Sequence, residues 1–187
     1  MRRITVSWVV LALAMTTVLG VGVAGAQDAS PDACPATTED ENIAIVQGYV
    51  EAVEAMDPAA IDAALADDYV HDQNRFGLPD DPTSNEDEIH LAMMFETLYP
   101  DSTTTIDQIL ADGDTVVVAT TLTITRHQLD PNAEPTMLAE PLLVRSIAII
   151  RIECGEIVEA NTLTDELGLL TGLGVIPPFG VEATPAA

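Results

Sequence analysis

Lysine is absent from the 187-residue sequence, and six arginines supply its formal positive charge. They are opposed by 31 acidic residues, so the formal net charge at pH 7 is −25. A surface of this sign repels phosphate groups, which argues against nucleic acid and anionic membranes as partners. Strong acidity of this kind is typical of a soluble, well-hydrated surface.

Aromatic and metal-ligating residues are also scarce. Aromatic residues make up 4% of the chain and the only tryptophan is Trp8, so few side chains are left to stack against a flat ligand. The three histidines are His71, His90 and His127. They have no paired spacing and no accompanying set of cysteines, so we predict no metal site and no cofactor.

The N-terminal 26 residues have the pattern of a secretory signal peptide. Met1-Arg2-Arg3 precedes an apolar run over 4–23, and Ala24-Gly25-Ala26 supplies the small residues that signal peptidase requires. A retained membrane anchor is the alternative, because the run is nearly long enough to span a bilayer. The polar segment that follows favours cleavage near Ala26-Gln27. We therefore expect a secreted protein, in the extracellular or cell-envelope space, without membrane attachment.

Cys34 and Cys154 are the only cysteines in the sequence. A cysteine pair in an exported protein is usually a disulfide. The bond would connect the start of the mature chain to a tight turn at Cys154-Gly155, between two predicted strands. Two free thiols are the less favoured alternative.

Three helices are predicted after a flexible leader over 27–39. From about Asp40, apolar residues recur at the helical spacing i, i+3, i+4 and i+7. These residues are Val46, Tyr49, Val50 and Val53. Asp57 and Pro58 form an N-cap and a first-turn proline for a second helix, and Ser84 caps a third. The apolar stripe of the third helix is Leu91, Met94, Phe95 and Leu98.

Strands dominate the rest of the chain. The predicted strands are 67–72, 102–110, 115–127, 142–152 and 156–163, with a proline-containing connection over 129–140. Helices followed by strands indicate an α+β fold, in which three N-terminal helices pack on a strongly curved antiparallel sheet. Such a sheet forms a cone with an apolar pocket. We place this domain at 40–178, followed by a disordered tail over 179–187.

An acidic segment leads into the third predicted helix. Its acids include Asp80, Asp81, Glu86, Asp87 and Glu88. A calcium site is one alternative, but the segment lacks a regular ligand pattern. Acids in the first turn of a helix are also favourable for its dipole. We therefore predict that the segment from Asp80 to Glu88 is a solvated face.

Four phrases carry a resemblance to a known family: VQGYVEAVEAMDPAAIDAALADDYV, ADGDTVVV, IIRIECGEIVEA and DELGLLTGLGVIP. In this order, over roughly 41–177, the chain resembles the SnoaL-like polyketide cyclases, within the broader ketosteroid isomerase-like cone fold. The resemblance implies an aldol-type ring closure of an aromatic polyketide ester. It implies a carboxylate base on the last strand, a histidine on the preceding strand and a polar side chain on the first strand.

The positions that match these roles differ from the family's pattern. Counted from Gly155, the family's carboxylate falls on Thr162, its histidine falls on Ala148, and its polar residue falls on His71. A threonine hydroxyl holds its proton too tightly to replace a carboxylate as general base near neutral pH. The family's base and its helper are therefore predicted to be missing.

Strand alternation and the resemblance together define a predicted ligand pocket. Its residues are Tyr69, His71, Ser146, Ala148, Ala160 and Thr162. Glu159 is predicted to point away from it. His71, with Asp72 beside it, is the best catalytic candidate for acid–base work. A hydrogen-bonded histidine that only lines the cavity is the alternative.

Two hypotheses for the function follow. The first is an exported protein that binds a small apolar or polyketide-like molecule in the pocket without turning it over, because the family's base is missing. The second is a polyketide cyclase or isomerase-type enzyme in which His71 acts as acid and base. The sequence leaves open whether the protein is an enzyme. A homodimer through the outer face of the sheet is compatible with both hypotheses.

Overall fold

The order of helices and strands follows the predicted α+β plan. The computed structural model describes residues 34–73, 84–130 and 132–177. Its elements are α1 (Glu39–Glu54), α2 (Pro58–Ala64), β1 (Leu65–Asp72), α3 (Asn85–Leu98), β2 (Thr103–Asp112), β3 (Thr115–His127), β4 (Thr136–Glu153), β5 (Glu156–Thr164) and α4 (Glu166–Gly172). Outside the described residues lie the predicted signal peptide, the leader as far as residue 33, residues 74–83 with Asp80 and Asp81 of the acidic segment, and the tail over 179–187.

Side-chain caps set the starts of the first three helices. The Thr38 hydroxyl accepts from the backbone N–H of Glu41, and the Glu41 carboxylate accepts from the N–H of Thr38, which is a capping box. Asp57 accepts from two N–H groups in the first turn of α2. Ser84 accepts from the N–H of Asp87 in α3. The caps predicted at Asp57 and Ser84 are confirmed.

Five strands form one curved, unclosed sheet in the order β1-β5-β4-β3-β2. Neighbours from β2 to β5 pair antiparallel, whereas β1 pairs parallel with β5. The predicted fold class is confirmed, and the parallel pair is the one detail that makes the sheet mixed. Because β1 and β5 are far apart in sequence, no tight turn forces them to run antiparallel.

Strand β4 starts earlier than predicted. Residues 136–140 belong to the strand, whereas the sequence analysis places them in the connection. In the structure Thr136 pairs with His127 and Met137 pairs with Arg126. The ladder is irregular before Leu142, and Pro141 lies in that irregular part. Pro131, Asn132 and Pro135 are the residues that indicate a connection here, because proline has no N–H to donate to a strand ladder. The strand nevertheless begins directly after Pro135 and continues on both sides of Pro141.

The main core joins α1, α2 and β1 to strands β3, β4 and β5. Its buried residues are Val46, Ala52, Ile61, Leu65, Tyr69, Val116, Val118, Ile150, Ile152, Ile157 and Ala160. A second buried cluster consists of Tyr99, Ile124 and Val144, against which the apolar residues Leu169 and Leu173 around α4 pack. Burial alternates along β3 and β4, so one face of the sheet is covered and the other is not.

Large apolar side chains remain exposed on the uncovered face of the sheet. Leu143, Ile147, Ile149 and Leu163 are each 52% to 64% exposed. Ile147 and Leu163 are direct cross-strand partners on β4 and β5, so the exposed groups are contiguous. Contiguous apolar surface of this kind is typical of interaction sites. The homodimer through this face stays a prediction.

A disulfide joins Cys34 to Cys154, with a Cα–Cα distance of 5.3 Å. Cys154 and Gly155 form the two-residue turn between β4 and β5, and both have positive φ, at 58° and 85°. Two-residue hairpin turns of this kind match the twist of the strands that they join. The bond therefore fastens the segment before α1 to this hairpin. No helix in the described ranges is both long and apolar enough to cross a membrane.

Candidate functional site

A cavity of about 260 Å³ lies between the helices and the covered face of the sheet. Apolar side chains from α1, α3 and three strands form most of its wall, among them Val53, Phe95 and Leu122. The six residues of the predicted ligand pocket all line it: Tyr69, His71, Ser146, Ala148, Ala160 and Thr162. Three of its polar side chains, His71, Glu88 and Thr162, are in hydrogen-bond contact where β1, α3 and β5 meet, and we call this part the polar end of the cavity.

His71 reaches the cavity because of the alternation along β1. Tyr69 before it is 1% exposed and Gln73 after it is 3% exposed, and both line the same cavity. The His71 side chain is 11% exposed. Asp72, the other catalytic candidate, is exposed, does not line the cavity, and accepts a hydrogen bond from Asn161 Nδ2 at 3.4 Å. The structure therefore does not bring Asp72 together with His71 at the cavity.

Glu88 is the site residue that the sequence analysis missed. It is 5% exposed, and its Oε2 lies 2.9 Å from His71 Nδ1. The Tyr49 hydroxyl donates to its Oε1 at 2.5 Å. The prediction that the acidic segment from Asp80 to Glu88 is solvated was therefore wrong for Glu88.

Helical spacing explains why Glu88 is buried. It is the fourth residue of α3, and Leu91, Ala92 and Phe95 follow it at i+3, i+4 and i+7. Residues at these spacings share one face of a helix. All of them line the cavity, so Glu88 continues the apolar stripe by one turn. The sequence contained the information that predicts this burial. The cap at Ser84 fixes the first turn of α3 and so places Glu88 one turn before Leu91 and Ala92 on the same helix face.

The hydrogen bonds around Glu88 orient His71. The Tyr49 O–H and a His71 ring N–H both point at the carboxylate, which is the arrangement that an ionised carboxylate accepts. The proton of neutral His71 is then on Nδ1, and Nε2 is an acceptor. A carboxylate in this position holds the imidazole ring and fixes its orientation. The Gln73 side-chain amide also lies 2.9 Å from Nδ1. Because Nδ1 carries the ring proton in this tautomer, the amide must present its oxygen, and not its NH₂ group, to that nitrogen.

Thr162 occupies the other side of the imidazole. Its Oγ1 lies 2.8 Å from His71 Nε2, so the hydroxyl donates to that nitrogen. Ala148 is its direct partner in the β4–β5 ladder. The hydroxyls of Ser146 and Thr164 lie 3.0 Å from each other. The polar end of the cavity is thus a continuous chain of hydrogen bonds from Tyr49 through Glu88 and His71 to Thr162.

Two tyrosines behind this chain are held in their neutral form. Burial, followed by the charge of Glu88, raises the pKa of Tyr49 well above its usual value. Burial and the same charge also raise the pKa of Tyr69, whose phenol is hydrogen-bonded to that of Tyr49. Both phenols therefore keep their protons over the physiological pH range. Tyr49 can act as a permanent donor to Glu88.

We expect the stability of the protein to fall as the pH rises above about 10, the usual pKa of tyrosine. A group whose pKa is higher in the folded state contributes stability below its unfolded pKa, and this is lost as the pH approaches the folded value. Each tyrosine accounts for about 1.4 kcal/mol per pH unit in that window. Because the chain has no lysine, few other side chains titrate there.

Urea unfolding at about pH 8 and about pH 11 measures this dependence. The double variant Tyr49→Phe/Tyr69→Phe is the comparison, and its stability should change less between the two pH values than that of the unmodified protein. Equal changes in both proteins would show that these phenols are not the cause.

The charges around the cavity are of one sign. Among the described residues that line it, three are glutamates and none is an arginine. The glutamates are Glu54, Glu88 and Glu96. An anionic ligand would therefore meet repulsion here, whereas a neutral apolar ligand would not.

The fold and the site define an α+β cone protein with a covered cavity and a histidine–carboxylate pair at its polar end. Residues 46–160 match the family model of the SnoaL-like domain. The chain belongs to the SnoaL-like domain family. No match was found among functionally curated proteins.

Solved structures from several bacteria share the fold. AclR of Streptomyces galilaeus, a proposed hydroxylase, is 22% identical, with a TM-score of 0.61 over 78% of this chain and 87% of that chain. IdmH of Streptomyces antibioticus, a proposed polyketide cyclase, is 23% identical, with a TM-score of 0.61 over 71% and 98%. An LEH-like epoxide hydrolase of M. tuberculosis is 21% identical, with a TM-score of 0.54 over 75% and 98%. At these identities the likeness shows the fold alone.

Proposed function

We propose that the protein binds a small, uncharged and largely apolar molecule in the cone cavity and moves protons on it, with His71 as the acid–base group. The observation that carries this proposal is the buried pair of His71 and Glu88 at the polar end of an apolar cavity. The reaction class is that of cyclases and isomerases. These enzymes remove a proton from the carbon next to a carbonyl group, and the resulting enolate then reacts further. IdmH, a structural neighbour, is a proposed cyclase.

Glu88 makes His71 a better base than the sequence alone suggested. An ionised carboxylate at Nδ1 stabilises the imidazolium that forms when Nε2 takes a proton. Both side chains are largely buried, at 11% and 7% exposed, and a charge interacts more strongly with its neighbours in such surroundings than in water. A histidine supported in this way can replace the family's carboxylate, whose position holds Thr162. The substrate would displace the Thr162 hydroxyl from Nε2 or exchange its proton through that hydroxyl.

Binding without turnover is the second candidate. It is favoured by the contacts of His71, because Glu88 and Thr162 already occupy both ring nitrogens. A histidine with satisfied partners can serve only to shape and polarise the cavity wall. Under this candidate the protein retains a ligand, and no proton exchange occurs.

The proposal also places the protein outside the cytoplasm, where a disulfide such as Cys34–Cys154 persists. Its support is the signal-peptide pattern over 1–26. An intact mass of the exported form that begins at Gln27 checks this part of the proposal, and an exported form that retains the apolar run contradicts it.

The test is deuterium exchange at the acidic carbons of β-tetralone in heavy water, followed by nuclear magnetic resonance. We expect the protein to accelerate the exchange, and His71→Ala to lower that acceleration by about 10²–10⁴-fold. His90→Ala is the matched control, because His90 is exposed on α3 and does not line the cavity. Equal rates for His71→Ala and His90→Ala would refute His71 as the base. Binding of the ketone without any exchange would favour the second candidate.

A further inference from the structure

We infer that Thr162 is a covalent acyl acceptor, whose hydroxyl is activated by His71 and Glu88 to attack the carbonyl carbon of a neutral, apolar ester. This reaction takes place in the cavity of the proposed function, but it is acyl transfer and not proton transfer on a ketone. The two activities can therefore succeed or fail separately.

The order of the three groups is that of an activated nucleophile. Thr162 Oγ1 lies 2.8 Å from His71 Nε2, and His71 Nδ1 lies 2.9 Å from Glu88 Oε2. A hydroxyl within hydrogen-bond distance of a base, with the base oriented by a third group, is the geometric signature of nucleophilic catalysis. Tyr49 holds the other oxygen of Glu88, which keeps the carboxylate in place.

The sheet fixes the distance between nucleophile and base. His71 on β1 pairs with Ala160 on β5 in the parallel ladder, and Thr162 follows two residues later on the same face. Both side chains therefore project into the cavity from adjacent, hydrogen-bonded strands. A site built on strands is held more precisely than one built on loops.

Thr162 has open space on its cavity side. Its neighbour across the ladder is Ala148, and its neighbour along the same face of β5 is Ala160. Two alanines leave room beside the hydroxyl for an acyl group. The nearby hydroxyls of Ser146 and Thr164 hydrogen-bond to each other, so Thr162 is the one among these three that contacts the histidine.

In the acyl-transfer step, His71 Nε2 takes the proton of the Thr162 hydroxyl while Oγ1 bonds to the carbonyl carbon and the carbonyl π pair moves onto its oxygen. When this pair returns, the bond to the leaving oxygen breaks, and the leaving group receives the proton from Nε2. The products are one alcohol and an ester on Thr162. A water molecule, deprotonated by the same nitrogen, then hydrolyses that ester to a carboxylic acid and restores the hydroxyl.

The cavity defines the class of acyl donor. Its wall is mostly apolar, its charged lining residues are Glu54, Glu88 and Glu96, and its volume is about 260 Å³. Such a site disfavours acyl groups that carry a carboxylate or phosphate, because these would be repelled. We therefore expect short, uncharged acyl chains on activated oxygen leaving groups.

The experiment incubates the folded protein with para-nitrophenyl butyrate and locates the butyryl group by intact mass and peptide mapping. The absence of lysine makes this assay unusually clean, because side-chain amines cannot be acylated. We expect one butyryl group on Thr162. In His71→Ala the rate of labelling should fall by about 10²–10⁴-fold.

Two valine variants isolate the hydroxyl. Thr162→Val should abolish the label, whereas Thr164→Val, the same change two residues further along β5 and without a histidine contact, should retain it. Circular dichroism establishes that both variants are folded. A label that persists in folded Thr162→Val, a label found on a tyrosine or histidine instead, or a folded protein that neither carries a label nor releases para-nitrophenol would each overturn the inference.

The outcomes also separate this inference from the proposed function. Deuterium exchange on β-tetralone without acylation would overturn the inference and leave the proposed function standing. Acylation of Thr162 without deuterium exchange would support the inference and overturn the proposed function. Thr162→Val should lose acylation, whereas His71→Ala should lose both acylation and exchange.

Discussion

Replacement of both Cys34 and Cys154 by serine is expected to lower the free energy of unfolding by about 4–5 kcal/mol. The disulfide joins residues 120 positions apart, so its removal releases a long loop in the unfolded chain and raises the entropy of that state. Domains are typically stable by only about 5–15 kcal/mol, so this would be a large share of the total. Urea unfolding at constant pH measures the change.

Reduction of the unmodified protein is the matched comparison for the serine variant. Excess dithiothreitol should lower its urea midpoint to that of Cys34→Ser/Cys154→Ser, and it should leave the variant itself unaffected. The disulfide lies at the β4–β5 turn and its cysteines do not line the cavity, so the variant should retain its acid–base activity while it is folded. A variant as stable as the oxidised protein would show that the tether contributes nothing.

Glu88→Ala is expected to lower the free energy of unfolding by roughly 2–6 kcal/mol, at about 1–3 kcal/mol for each of two buried donors that lose their acceptor. It leaves the Tyr49 O–H and the Nδ1–H of His71 without their acceptor, and such groups are costly to bury unpaired. We also expect ketone proton exchange to fall by about 10²–10⁴-fold, because the imidazolium loses its counter-charge. Urea unfolding and deuterium exchange measure the two effects.

Glu88→Gln separates the chemistry from the folding. The amide has the shape of the carboxylate and can still accept from Tyr49, so the loss of stability should be much smaller than in Glu88→Ala. Its NH₂ group, however, would donate to Nδ1 and force the ring proton of neutral His71 onto Nε2, which then cannot accept a proton. The exchange rate should therefore fall almost as far as in Glu88→Ala. Glu86 is exposed in the same helical turn, so Glu86→Gln should leave both stability and exchange rate unchanged. An exchange rate in Glu88→Gln equal to that of the unmodified protein would show that the carboxylate does not support His71.

Short-range patterns predicted much of the fold. The caps at Asp57 and Ser84 depend on side chains that bond to backbone groups two or three residues away, so the sequence alone reveals them. Alternation along β1 and β5 predicted that His71 and Thr162 share one cavity, and both line it. The first part of β4 escaped prediction because the prolines and asparagine within 129–140 indicate a connection, whereas pairing with β3 already begins at Thr136.

Positions counted along the chain were enough to predict the family resemblance, the α+β order, the pocket-facing residues and the cysteine pair. The contacts of His71, in contrast, depend on how distant segments come together in the fold. Glu88 arrives from α3, and Thr162 arrives from β5 through the parallel pairing with β1. These contacts join segments far apart in sequence, and no local pattern encodes which donor meets which acceptor across a folded cavity. Thr162, which stands where the family has its carboxylate, is thus hydrogen-bonded to His71, and His71 is itself paired with the carboxylate of Glu88.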